Sequence, residues 1–342
     1  MTEILVEASP GEVRVVVLDG QTLQEYALWR PGRPDGVGDI YRGRVIAHVP
    51  AMAGAFVALS DSEGFLPDSE GATGAVAGAL LTVRIVRAGQ GGKGPRLGAA
   101  SAAPGEPGLV SRGPTPLEAI LAAHPGVTPK HGPFPPALAD EIAALAEPHA
   151  DLPAGMRAHI YPTPALVAID LDMGSATASR QPKATGQMAA NLAALPALAR
   201  QLRLRNLSGA ILIDPAGLSL KRRPKLAPAL ASALAADPLK PQLLGFTALG
   251  LAEIVRRRVR PPLHELLSGP HAAGLAALRA IDREAAATPY AAFGLTCAPD
   301  VAAALARDPV ALADLAGRTG RPLIPRPDPA LSPGAWRIER PD

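Results

Sequence analysis

Two short apolar runs, Ala165-Leu166-Val167-Ala168-Ile169-Asp170 and Ala210-Ile211-Leu212-Ile213-Asp214, each end in aspartate, with a helix-patterned stretch from about Gln187 to Arg203 between them. Strand, helix, strand in that order is the pattern of an α/β sheet. Sites in such sheets gather at the carboxyl ends of the strands, so adjacent strands would bring Asp170 and Asp214 together around one Mg²⁺. An aspartate that closes a strand also serves turns and helix caps, and spacing alone does not decide between the two. Asp172 follows two positions after the first. Beyond Asp214 the pattern predicts a helix from Pro224 to Ala235, a strand near Pro241 to Phe246 and a helix from about Leu249 to Arg257. After Pro262 it predicts helices with a strand at Ala291 to Leu295.

The amino-terminal half reads differently. Ile4-Leu5-Val6 and Val13 to Leu18, followed by the Asp19-Gly20 turn and a third run through Tyr26, predict a small antiparallel meander over residues 1–36. Residues 37–100 alternate short strands with tight turns: Ile40 to Val45, Gly54 to Leu59, Gly64 to Pro67, Leu80 to Val86. Such spacing suits a closed barrel of the oligonucleotide-binding (OB) type, and equally any small β-barrel. Residues 101–155, rich in Ala, Pro and Gly with helical stretches at Pro116 to Ala123 and Ala137 to Ala146, read as a connector or reduced subdomain. An α/β domain is expected over 156–342.

Composition narrows the function. With 48% hydrophobic residues in 342, the chain can bury two cores of ordinary size. The net charge is only +3, so clustered arginines say more about an anionic partner than the total does. No leader pattern opens the sequence and no apolar run reaches the ~18 residues of a membrane span, so a cytoplasmic protein without a membrane partner is expected. A single cysteine, Cys297, excludes an internal disulfide and a Cys-x-x-Cys zinc site. The seven histidines show no metal-ligand spacing and receive no role.

A divalent ion on two carboxylates can orient water for in-line attack on a phosphodiester, and the polyanion then needs cations nearby. Arg200, Arg203 and Arg205 end one helix, Lys221-Arg222-Arg223 follow the Asp214 strand, and Arg256-Arg257-Arg258 with Arg260 close the next predicted helix. Such runs are solvated faces in most proteins; three of them around a metal site favour nucleic acid. In the barrel, Phe56 and Phe65 fall on adjacent strands, with Lys93 and Arg96 in and after the hairpin Gly89-Gln90-Gly91-Gly92-Lys93-Gly94. Exposed rings stack bases beside cations for phosphates; buried rings are core.

The wording of these segments resembles the ribonuclease E/G family. Gly38-Asp39-Ile40-Tyr41-Arg42-Gly43-Arg44-Val45, Ala55-Phe56-Val57, Gly64-Phe65-Leu66-Pro67 and Lys93-Gly94-Pro95-Arg96-Leu97 are similar to its S1 domain. Ala168 to Asp172, Asn191-Leu192, Ala199 to Gly209, Ile211 to Asp214 and Gly245 to Leu251 follow the order and approximate spacing of its catalytic domain, in local wording closest to the ribonuclease G branch. The resemblance implies an OB-fold S1 domain joined to a deoxyribonuclease-I-like α/β catalytic domain, and an endoribonuclease that hydrolyses single-stranded RNA to 5′-phosphate and 3′-hydroxyl ends. It implies Asp170 and Asp214 as ligands of Mg²⁺, with Mn²⁺ as an alternative, and Asp172 as a further catalytic residue. Phe56, Phe65 and Lys93 match its S1 contacts, and Arg96, Arg203 and Arg205 are expected to touch RNA.

Three departures, with a smaller loss at Gly217, stand beside it. Asp172 replaces the family's usual Asn. The middle region, which in large members holds the pocket for an RNA 5′-monophosphate, is far shorter. The zinc-sharing cysteines are missing, so no zinc is expected, and a homodimer is allowed only by other contacts. Gly217 stands where the family has a second acidic residue. These departures keep a second reading open, a non-catalytic RNA-binding protein of the same ancestry.

Overall fold

In a computed structural model of the chain, residues 1–60, 62–174, 183–288 and 291–340 are described. The chain divides into two compact units, residues 1–135 with 265–342, and residues 136–264.

The first unit opens with the expected meander, β1 (Thr2–Ser9), β2 (Glu12–Asp19) and β3 (Thr22–Trp29). Ser9 pairs with Glu12 across the Pro10-Gly11 turn. Gly11 has φ +72°, and a Cβ there would meet the Ala311 Cβ at 2.4 Å, so conformation and space both require glycine. The barrel follows: β4 (Ile40–Val49), β5 (Gly54–Ala58), β6 (Glu63–Pro67), β7 (Leu80–Arg87) and β8 (Arg96–Ala99). It closes because β4 pairs with both β5 and β7, in the ring β4-β5-β6-β8-β7. Alternating residues fill it, among them Val45, Val57, Leu66, Val83 and Leu97.

Residues 101–155 are not a separate connector. β9 (Gly108–Ser111) adds an edge strand to β4. α1 (Pro116–Ala123) starts on a Thr115/Glu118 capping box and packs Ile120 against Ile4, Val6, Val15 and Val17. β10 (Lys130–His131) runs parallel to β1. The second unit begins at Pro136.

That unit contains α2 (Pro136–Ala144), β11 (His149–Leu152), β12 (Met156–Pro162), β13 (Leu166–Met173), α3 (Lys183–Leu204), β14 (Gly209–Asp214), α4 (Ala227–Leu234), β15 (Gln242–Phe246) and β16 (Ala252–Arg256). The sheet order is β11-β12-β13-β14-β16-β15, and only the β13–β14 pair is parallel. Val167, Ile169, Leu171, Ile211, Ile213 and Ile254 pack against Ala194, Leu195, Leu198 and Leu202 of α3 and Leu230 and Leu234 of α4. The expected helix over Leu249 to Arg257 is a correction: Ala252, Ile254 and Arg256 are buried while Glu253 and Val255 face outward, a period of two that a helix cannot provide.

The chain then leaves through α5 (Leu263–Leu267) and returns to the first unit with α6 (Gly269–Ala287), β17 (Gly294–Cys297), α7 (Pro299–Ala306), α8 (Pro309–Thr319), β18 (Arg326–Pro327) and β19 (Trp336–Glu339). The segment expected as one domain, 156–342, is therefore shared between the two units. Within the first unit, buried carboxylates anchor the return: Glu12 meets Arg30 and Arg279, each at 3.1 Å, and Glu7 meets Arg14 and, at 2.9 Å, Arg283. Burial, reinforced by Glu12, pushes the Tyr26 phenol beside them well up. Among the described residues no helix is long and apolar enough to cross a membrane.

Candidate metal centre and nucleic-acid interface

β13 and β14 lie side by side with Asp170 in register with Asp214. Registered residues share a face of the sheet, and neighbouring strands are about 4.8 Å apart. The opposite face carries Ile169, Leu171 and Ile213 into the helix-covered core, so the carboxylates stand on the side that α3 and α4 leave open. Asp172, two residues on, shares that face and is exposed, as is Asp170; Asp214 is half-buried.

Asp214 is held from two directions. Its Oδ1 faces Arg223 Nη1 at 2.6 Å. Arg223 also donates to the Leu218 carbonyl at 3.0 Å and the Gly250 carbonyl at 3.2 Å. Behind the strand, the fully buried Asn191 of α3 donates to the Ala216 carbonyl at 3.0 Å and accepts from the Ala216 N–H at 3.1 Å. The loop leaving Asp214 is thereby docked on the helix. Gly217 follows from this docking: φ is +65°, and a Cβ would lie 2.3 Å from the Gln187 amide nitrogen. No side chain, acidic or otherwise, fits there without moving Gln187.

The donor set suits a hard cation. Asp214 Oδ1 is buried and takes no hydrogen bond, leaving the ion pair as its compensation. Among the described residues no three His, Cys, Asp or Glu side chains gather closely enough to form a cage. Two neighbouring carboxylates suit a hard divalent cation that keeps several waters better than an ion requiring an all-protein shell.

The row of paired residues extends beyond the aspartates. His159 of β12 is in register with Asp170, and His149 of β11 with His159. Both histidines are half-buried on the open face. A search for local ligand spacing in the sequence does not reveal this register. Counting back through the short turn at Thr163 to Ala165 would have placed His159 opposite Asp170.

The cations divide into two groups. Arg205 is corrected as an RNA contact. It is buried, donating to the carbonyls of Ala144 at 3.1 Å and His149 at 2.7 Å, to Glu147, and to the Gln201 side chain at 2.8 Å. Burial lowers its pKa to about 10, against the pull of Glu147. Arg256 is likewise internal, paired with Asp237 at 2.7 Å. Arg203 is half-buried, whereas Lys221, Arg222, Arg257 and Arg258 are exposed.

On the barrel, Phe56 and Phe65 are register partners in edge-to-face contact, 5.4 Å between centroids, and both are half-exposed rather than core. Gly54 makes room for the Phe65 ring, since a Cβ there would sit 2.5 Å from it. Arg96 pairs with Phe65, and Lys93 stands exposed in the hairpin. Arg96 thus lies on the strand beside the Phe65 ring.

The first unit thus carries an OB-like barrel and the second an α/β sheet with two aspartates in register. Comparison with known proteins makes the likeness specific: residues 136–259 match the Ribonuclease E/G family, and that stretch lies within the second compact unit. Ribonuclease E of Nostoc sp. is 37% identical over 126 residues, 36% of this chain and 18% of that protein. Ribonuclease E of Synechocystis sp. is 38% identical over 130 residues, 38% of this chain and 19% of that protein. Ribonuclease G of Escherichia coli strain K12 is 35% identical over 129 residues, 37% of this chain and 26% of that protein. The matched stretch spans only about a fifth to a quarter of the length of these relatives.

Proposed function

We propose that the protein is a metal-dependent endoribonuclease that cleaves single-stranded RNA in the cytoplasm and leaves 5′-phosphate and 3′-hydroxyl ends. The observation that carries this reading is the register of Asp170 with Asp214 on the open face of the unit that matches the family. These two carboxylates would hold Mg²⁺, or Mn²⁺, which supplies polarisation of a phosphate oxygen and a lowered pKa for an attacking water. Asp172 lies one residue pair along the same face, where its carboxylate can accept a proton from that water. Arg223 keeps Asp214 pointed, and Asn191 fixes the loop behind it. Phe56 and Phe65 offer stacking faces for unpaired bases, with Lys93 and Arg96 for the intervening phosphates.

The Arg223 ion pair also favours the second reading, an RNA-binding protein without turnover, because a cation already satisfies one of the two ligands. A labelled single-stranded RNA in Mg²⁺ against EDTA separates them. The nuclease cuts only with metal, and Asp170→Ala with Asp214→Ala abolishes cutting while binding persists. Products ending in 2′,3′-cyclic phosphate would exclude the hydrolytic mechanism; binding without cutting in every metal would establish the second reading.

A further inference from the structure

We infer that His149 and His159 form a phosphate subsite for the RNA strand, next to the position that Asp170 and Asp214 would occupy with the scissile phosphate; this rests on the nuclease reading above. The registers of three successive ladders, His149 with His159, His159 with Asp170 and Asp170 with Asp214, put four side chains in one row across β11, β12, β13 and β14. The centres of the histidine pair and the aspartate pair are two strand spacings apart, roughly 10 Å. An extended single strand crossing the sheet along this row covers that distance between nearby phosphates.

Charge selects the ligand. The open face of β11 to β13 carries Asp151, Asp170 and Asp172, and an anionic strand needs hydrogen-bond donors to lie on it. Arg157 of β12, the register partner of Asp172, is taken up by Asp151 at 2.7 Å. Neither imidazole has a hydrogen bond or ion pair to another described residue. They are the nitrogen donors left on these three strands. Each imidazole carries an N–H in either neutral tautomer, so the contact needs no particular charge state. The pair of rings is too few ligands for a metal cage, and no third His, Cys, Asp or Glu gathers with them among the described residues. Two adjacent N–H donors do match two oxygens of one phosphate.

The test measures binding apart from cutting. A labelled single-stranded RNA decamer is titrated in EDTA with the full chain, with His149→Ala/His159→Ala, and with His149→Gln/His159→Gln, which keeps an N–H donor at each position. The alanine pair is expected to weaken binding about tenfold, as for loss of hydrogen bonds to a charged group, with the glutamine pair close to the starting protein. A decamer series with one neutral methylphosphonate, walked along the strand, should show one position that weakens the full chain by the same factor and leaves the alanine pair unchanged. Unaltered binding by the alanine pair, or methylphosphonate losses that simply add to it, would overturn the subsite. Cutting of the unmodified RNA in Mg²⁺ is scored separately. Cutting with no histidine effect sinks this inference alone. A histidine effect without cutting supports the phosphate contact and sinks the nuclease reading, and neither binding nor cutting removes both.

Discussion

Asn191 has no exposed surface, and its amide is fully engaged with the main chain, at Gln187 on its own helix and at both polar groups of Ala216. Asn191→Ala would leave the Ala216 N–H and C=O buried without partners. Each orphaned group costs about 1–3 kcal/mol, so chemical denaturation should show the protein about 2–6 kcal/mol less stable. If the residue also positions Asp214, Mn²⁺ affinity measured by calorimetry should fall in Asn191→Asp, where the acceptor to the Ala216 N–H remains and only the donor is lost. An unchanged affinity would confine Asn191 to stability. The aspartates themselves were legible in sequence because each ends an apolar run. Asn191 was visible only as part of a resemblance, because its partner is main chain, which leaves no signature in side-chain pattern. Arg205 shows the reverse failure: an arginine among arginines reads as surface, and only the carbonyls turned toward it reveal an internal clamp.

At the scale of elements, strands were legible where one face is buried, since alternation then records the pleat. β16 was missed because Leu249 to Arg257 is short and ends in Arg256-Arg257, which suit either period; its antiparallel place between β14 and β15 decides the matter. Helix starts carry their own chemistry. Asp308 caps α8 by accepting from the Ala311 N–H at 3.1 Å, and it meets His271 of α6 at 2.9 Å. Burial pushes the His271 imidazole below its ordinary value, although the hydrogen bond to Asp308 works against this. With the folded pKa below the unfolded one, the unfolded chain binds more protons in the window beneath ordinary histidine titration, so stability falls as pH drops through it. Thermal unfolding followed from pH 7.5 to 5 should show a decline that is shallower in His271→Gln. A steeper decline in that variant would mean that the charged pair with Asp308, rather than burial, dominates. Asp308→Ala should lower stability by about 1 kcal/mol through the lost cap alone.

For the whole molecule, the two units differ in how they are built along the chain. The second unit is one continuous stretch with its own core of strands and helices, from Leu152 to Ile254. The first unit is discontinuous, and its amino-terminal sheet depends on the returning carboxyl-terminal segment. Glu7 and Glu12 are nearly inaccessible, and two of their four arginine partners, Arg279 and Arg283, lie beyond residue 264. The Gly11 N–H likewise finds its acceptor on Asp314, at 3.1 Å. Sequence reading followed the α/β pattern and the resemblance and so placed 265–342 with the second unit's strands, because ion pairs between segments this far apart are invisible in a single chain. Cutting the chain after residue 264 should therefore affect the two units unequally. Removing partners from a buried carboxylate costs about 3–5 kcal/mol, enough to unfold the sheet of β1 to β3, while the second unit retains every strand of its own sheet. Hydrogen exchange on the 1–264 fragment should show protection kept in β13 and β14 and lost in β1 and β2. Equal protection in both sheets would mean that Arg279 and Arg283 of α6 contribute nothing that water cannot replace; equal loss would mean that the second unit does not fold on its own core.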